Sequence, residues 1–181
     1  MNPSQDDRHM LEEIENQPEA WARSIQIVEA MAGRLRRLAR GREEVLFTGC
    51  GSGLNAAEAI APAFQRYTGI RARAVPAAEL VFFAETVLIP DSRALVVLIS
   101  RSGSTTETLL AGEKARRRDL PTLALTCRPD SPLAQQSTEA IVLEPAGERS
   151  VTTTQSLTSM VLSGQVAMPR RKRFLSGISH I

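Results

Sequence analysis

The sequence has little of what many specialised binding chemistries require. Only two of its 181 residues are cysteine and two are histidine. Cys50 and Cys127 each sit in or beside an apolar run, without Cys-x-x-Cys or Cys/His spacing, so no metal site is expected. With no signal-peptide pattern ahead of them, the two thiols predict core residues in a reducing cytoplasm. No apolar run approaches the roughly 20 residues needed to span a bilayer, so no membrane is expected as a partner. Aromatic residues make up 4% and the net charge is +2. That leaves few rings for base stacking and no one-signed surface, so nucleic acid is not an expected partner either.

What is present describes a globular chain. Hydrophobic residues are 43% and charged residues 23%, and the length suits one domain with a full core. Residues 1–40 read as an N-terminal helical arm and residues 41–164 as an α/β domain. Residues 165–181 form a basic tail, with four consecutive cations from Arg170 to Arg173. Met1 to Arg8 are polar and read as a frayed end. Met10 to Gln17 has the spacing of a short helix stopped before Pro18, and Glu19 to Arg40 that of a longer one with Trp21, Ile25, Val28, Met31, Leu35 and Leu38 on one face.

The chain is organised around residues 94–108. An unbroken, β-branched apolar run, Ala94 to Ile99, stops in Ser100-Arg101-Ser102-Gly103-Ser104-Thr105 and then resumes at helical spacing. That pattern predicts a buried parallel strand, a turn and a helix N-terminus. Unpaired N–H groups and the positive end of the helix dipole suit a phosphate there. Ser100, Ser102, Ser104 and Thr105 can add hydroxyls, and Gly103 lets the backbone come close. The same residues also fit a simple cap, with Ser102 or Ser104 closing the helix.

A second glycine-rich turn, Gly49-Cys50-Gly51-Ser52-Gly53, follows the apolar strand from Glu44. Position 54 is Leu54, where a dinucleotide fingerprint needs glycine, and no Gly-Lys-Ser/Thr or Gly-x-Ser-x-Gly run follows. No cofactor is therefore expected. Further strands are predicted at 70–75, where the pattern is that of an edge, at 121–127 and at 139–143. Helices are predicted at 54–67, 76–84 and 131–136. This alternation predicts an open three-layer α/β/α sandwich with a mostly parallel five-stranded sheet, whose ligands bind beyond the carboxyl ends of the strands.

Ser100 to Thr105 resembles the Ser-x-Ser-Gly-x-Thr signature of the sugar isomerase (SIS) domain, a flavodoxin-like fold. Three further segments agree with it. Met10-Leu11-Glu12-Glu13-Ile14-Glu15-Asn16-Gln17-Pro18 resembles the opening that precedes the isomerase part of the glutamine–fructose-6-phosphate aminotransferase group. The turn at 49–53 is similar to that group's Gly-Cys-Gly-(Ser/Thr)-Ser, with Gly53 standing where a sugar-phosphate-contacting serine is usual. Ala146 to Met160 resembles its Ala-Gly-x-Glu-x-x-Val-x-Ser-Thr-Lys-x-Phe-Thr segment, another strand-to-helix junction, with Gln155 in place of lysine.

The resemblance implies a sugar-phosphate ligand. Ser100, Ser102 and Thr105, with the N–H groups of Gly103 and Ser104, would hold the phosphate, with Arg101 where the aminotransferases have glutamine. Ser52, Val151 (through its backbone) and Thr153 would face the sugar. Glu79 falls on a family glutamate, although as a bare residue it reads as a first-turn acid complementing a helix dipole. The implied chemistry is aldose–ketose interconversion of an amino-sugar or ketose phosphate by a homodimer, with the acid and base largely from a second SIS half. A catalytically incomplete binding unit and a regulatory sugar-phosphate sensor are the alternatives. After Gly164 the family pattern stops, which predicts a truncated or altered-frame product of a two-domain isomerase.

Overall fold

A computed structural model describes residues 5–89 and 92–167 of the chain. Two helices lead, α1 (Gln5–Glu15) and α2 (Gln17–Ala39), followed by β1 (Glu44–Gly49), α3 (Ser52–Thr68), β2 (Arg71–Pro76), α4 (Ala77–Phe82) and α5 (Ala84–Val87). The second half runs β3 (Ala94–Ile99), α6 (Thr106–Arg116), β4 (Thr122–Thr126), α7 (Pro132–Gln136), β5 (Glu139–Val142) and α8 (Gln155–Val166). The strands form one parallel sheet in the order β2-β1-β3-β4-β5. This is the flavodoxin-like order, and its strand sequence reverses between β1 and β3.

Strand alternation sorts the core into two layers. Val45, Phe47, Leu95, Val97, Ile99, Leu123, Leu125 and Ile141 face Val28 and Leu35 of α2, Ile60 and Phe64 of α3 and Met160 of α8. Leu46, Val96, Leu98 and Ala124 face the other way, towards Leu80 of α4, Ala111 and Ala115 of α6 and Leu133 of α7. β3, the middle strand, is buried at all six positions, which is why it reads as a continuous apolar run rather than an alternating one. Phe47 meets Phe64 edge to face, 5.3 Å between ring centroids, a geometry that adds about 1 kcal/mol to simple burial. Among the described residues no helix is long and apolar enough to cross a membrane.

Three local differences from the sequence reading bear on the site. α1 begins at Gln5 rather than near His9, with Asp6 and Asp7 in its first turn, where negative charge complements the helix dipole. The helix expected at 76–84 breaks at Phe83, which leaves helical geometry (φ −129°, ψ 38°) between α4 and α5. No strand forms in the segment read as a further strand-to-helix junction. After β5 the chain makes a single 3-10 turn, Glu144–Ala146, and crosses to α8 as an irregular loop. Pro145 lacks the N–H a ladder needs, the Ala146 and Gly147 N–H groups close the turn on the Leu143 and Glu144 carbonyls, and those of Arg149, Ser150 and Val151 go to carboxylates. α8 continues through Val166, two residues past Gly164. The cationic run at 170–173 and His180 lie outside the described residues.

Candidate functional site

Ligands of open α/β sheets settle beyond the carboxyl ends of the strands, in the crevice where the strand order reverses. Here that crevice lies between β1 and β3, paired in register so that Gly49 stands opposite Ile99. The two hydroxyl-rich turns leave the sheet from these two residues, side by side.

In the turn after β3 the hydroxyls find their partners within the turn, while its carbonyls are tied to β4 and α7. Ser100, buried, has its hydroxyl 2.9 Å from Thr105 Oγ1, and the same oxygen accepts from the Gly103 N–H at 3.1 Å. Gly103 adopts φ +64°, the left-handed region that other residues rarely enter. A Cβ there would collide with the side chain of Ser131. Ser102 Oγ accepts from the Ser104 N–H at 3.3 Å and from its hydroxyl at 3.0 Å, and both serines are exposed. Thr105 is the N-cap of α6, and no side chain caps that helix. The alternative in which Ser102 or Ser104 closes the helix is therefore not what forms. The first N–H groups of an 11-residue helix lie beside exposed hydroxyls, an arrangement suited to an oxyanion.

Ser52 is the first residue of α3. Its Oγ accepts from Thr153 Oγ1 at 3.0 Å, so the turn after β1 and the loop before α8 meet at this edge. Gly53 has a packing reason: a Cβ there would stand 2.5 Å from the carbonyl oxygen of Ile99, so α3 can begin this close to β3 only with glycine. Val151 is exposed, and its N–H donates to Asp6 Oδ1 at 3.1 Å. Glu79 is exposed in the first turn of α4, the position of an acid complementing a helix dipole.

The Arg101 side chain leaves the turn for the loop before α8. Its Nη1 donates to Glu148 Oε2 at 3.2 Å and to the Ser150 carbonyl at 3.3 Å. Its own carbonyl accepts from the Cys127 N–H and the Thr126 hydroxyl. Arg101 thus links the turn to the 147–154 loop.

Sequence reasoning gave no role to the two glutamates that hold that loop. Glu148, whose side chain is fully buried, accepts from the N–H groups of Thr154 (2.6 Å) and Ser156 (3.1 Å) and from the hydroxyls of both. Glu13 on α1 is also buried, and accepts from the N–H groups of Arg149 (2.7 Å) and Ser150 (3.2 Å) and from the Ser150 hydroxyl. Burial alone would raise the Glu13 pKa, but these three hydrogen bonds and the nearby Arg149 charge hold it below the usual carboxylate range. Gln155, where the resemblance has lysine, accepts from Asn16 at 2.9 Å and donates to the Gly147 carbonyl at 2.8 Å. The only hints in the sequence were the glutamates inside the two segments of family resemblance.

A cavity of about 630 Å³ opens beside the turn, lined by Ser102, Arg128, Ser131, Glu148 and Arg149 among others. Cys127 also borders it, and burial first, then the Glu148 charge, pushes its thiol up to about 12. Burial likewise raises the Cys50 thiol, so both are neutral near pH 7. Among the described residues no group of three or more His, Cys, Asp or Glu could hold a metal ion.

The family model described as "SIS domain" matches residues 38–169. The chain is 30% identical over 165 residues to the D-galactosamine-6-phosphate deaminase AgaS of Escherichia coli, covering 84% of this chain and 43% of that protein. It is also 30% identical over 154 residues to the isomerizing glutamine–fructose-6-phosphate aminotransferase of Helicobacter pylori, covering 80% of this chain and 25% of that protein. Its fold superposes on the crystal structure of tagatose-6-phosphate ketose/aldose isomerase from Escherichia coli with a TM-score of 0.78 and 29% identity, over 87% of this chain and 46% of the other. The chain thus spans less than half the length of these relatives.

Proposed function

The chain belongs to the SIS domain family, and from that premise we propose that it binds a phosphosugar at the β1–β3 crevice, as part of the isomerase and deaminase branch of the family. The turn after β3 carries the reading. Gly103 holds the backbone in the left-handed region, α6 presents an N-terminus that no side chain caps, and Ser102 and Ser104 are exposed beside it. In this reading the N–H groups of Gly103 and Ser104 and the hydroxyls of Ser100, Ser102 and Thr105 take the phosphate. Ser52, Thr153 and the Val151 backbone orient the sugar. Arg101, tied to Glu148, fixes the loop over the phosphate instead of contributing a free cation.

Isothermal titration with galactosamine 6-phosphate and fructose 6-phosphate, against the unphosphorylated sugars, tests this. We expect binding that requires the phosphate. A hydrogen bond to a charged group contributes roughly 1.5–3 kcal/mol, so Ser102→Ala with Thr105→Ala should weaken binding about 100-fold, allowing for partial compensation. Unchanged affinity in a folded double variant would reject the site.

A second reading adds catalysis, aldose–ketose isomerisation or deamination, by a site completed by further chain or by a second copy. The favouring observation is that the chain matches less than half of the AgaS deaminase. Substrate turnover by the purified chain supports this second reading; binding without turnover leaves a binding unit.

A further inference from the structure

The 147–154 loop has no ladder of its own, so its N–H groups need partners from elsewhere. Three consecutive ones find them on a single helix 136 or more residues away in sequence. Arg149 and Ser150 donate to Glu13, and Val151 donates to Asp6. Glu12 adds an exposed ion pair with the Arg149 guanidinium at 2.7 Å. Just beyond, Trp21 Nε1 donates to Thr158 Oγ1 at 2.9 Å, and that hydroxyl lies 2.8 Å from Gln17 Oε1. Of these groups Glu13 is the buried charge. A buried carboxylate is tolerated only where donors satisfy it, and every hydrogen bond of its side chain described here goes to the loop. Its pKa, held below the usual range, means it accepts as a carboxylate at neutral pH.

Resting on the phosphosugar reading, we propose that Glu13 is a positioning residue. By fixing Arg149 and Ser150, it sets where the Val151 backbone and Thr153 meet the sugar, so the N-terminal arm governs sugar affinity without touching ligand. The hydroxyls of the turn at 100–105 bond within the turn, and its one side-chain tie to the loop runs through Arg101, which keeps the buried Glu148 as a partner when Glu13 is removed. Removing Glu13 should then impair recognition of the sugar and spare recognition of the phosphate.

The experiment measures affinity of the full chain for galactosamine 6-phosphate, fructose 6-phosphate and inorganic phosphate in the wild type, Glu13→Ala, Glu13→Gln and Glu12→Ala. Amide hydrogen exchange at Arg149 and Ser150 is followed in parallel. We expect Glu13→Ala to lose tenfold or more in affinity for the sugar phosphates that bind, with inorganic phosphate changed less than threefold and protection of both amides lost. Glu13→Gln keeps an acceptor oxygen and should recover most of the affinity, while Glu12→Ala should stay within twofold of wild type. Unchanged sugar-phosphate affinity in Glu13→Ala, or an equal loss for sugar phosphate and inorganic phosphate, would overturn the proposal. If Glu13→Ala does not fold, a Glu13→Gln chain that loses amide protection yet binds sugar phosphate like wild type would overturn it. A wild type that binds no sugar phosphate would instead overturn the phosphosugar reading itself, and this inference with it.

Discussion

The two loops that meet at the β1–β3 crevice draw their side-chain partners from different distances along the chain. In the turn at 100–105 the hydroxyls bond one another, Ser100 reaching Thr105 and Gly103 and Ser102 receiving Ser104, while the main chain is tied to the neighbouring β4 and α7 through Thr126, Cys127 and Leu133. The loop at 147–154 is held partly by its own Glu148 and partly by Glu13, Asp6 and Ser52, residues about 100 or more positions away. A turn whose hydroxyls bond one another carries much of its geometry in a short sequence signature, because those partners are in the signature. A loop held from a distance has ordinary composition, and its geometry fails when a remote acceptor is lost.

Substitutions can break this contrast, and the largest effect should come from the turn at 100–105. Gly103→Ala forces a left-handed backbone on a residue with a Cβ and drives that Cβ into Ser131. Together these should cost about 3 kcal/mol or more, read as a lower urea midpoint with loss of phosphosugar binding. A variant as stable as the wild type would mean the turn has another conformation available.

Glu148→Gln should come next. It leaves Arg101 facing a neutral amide and replaces an acceptor-only group by one with two N–H donors beside Thr154 and Ser156. A loss of about 2–3 kcal/mol is expected, together with faster proteolysis within residues 147–154. An effect below about 0.5 kcal/mol would show that the loop does not depend on its buried carboxylate.

The smallest effect sharpens the contrast through pH. Glu13 has a folded pKa below its unfolded one, so its contribution is complete above the unfolded value and lost as pH falls through the folded value. Arg149 and Glu12 are the charged groups beside it. As pH falls below the ordinary glutamate value of 4.5, amide exchange at Arg149 and Ser150 should accelerate in the wild type, and the turn at 100–105 should keep its protection. In Glu13→Gln this acid-dependent step should be missing. Parallel acceleration at both loops would mean that they open as one unit.

Much of the fold was legible because burial writes itself into sequence. Ala94 to Ile99 is apolar at every position since both faces of a middle strand are covered, and β2, at the sheet edge, has the mixed Arg-Ala-Arg-Ala pattern of a half-exposed strand. The turn at 100–105 was legible as four hydroxyls around a glycine. The break at Phe83 and the absence of a strand at 147–153 were not, because neighbouring elements and distant acceptors decide them. Arg101 shows the same limit: its place in the signature suggested a phosphate contact, whereas its guanidinium is turned to Glu148.

The sequence by itself determined the order of strands and helices, the glycine that the turn at 103 requires and the hydroxyls around it, since each depends on periodicity or on one residue's own backbone freedom. Tertiary structure alone decided that Gly53 has no room for a side chain against Ile99, that Arg101 pairs with Glu148, and that Glu13 anchors the 147–154 loop. The physical reason is that a buried charge and a close backbone approach are satisfied by whatever the fold brings within about 3 Å, and sequence separation places no limit on which residues those are.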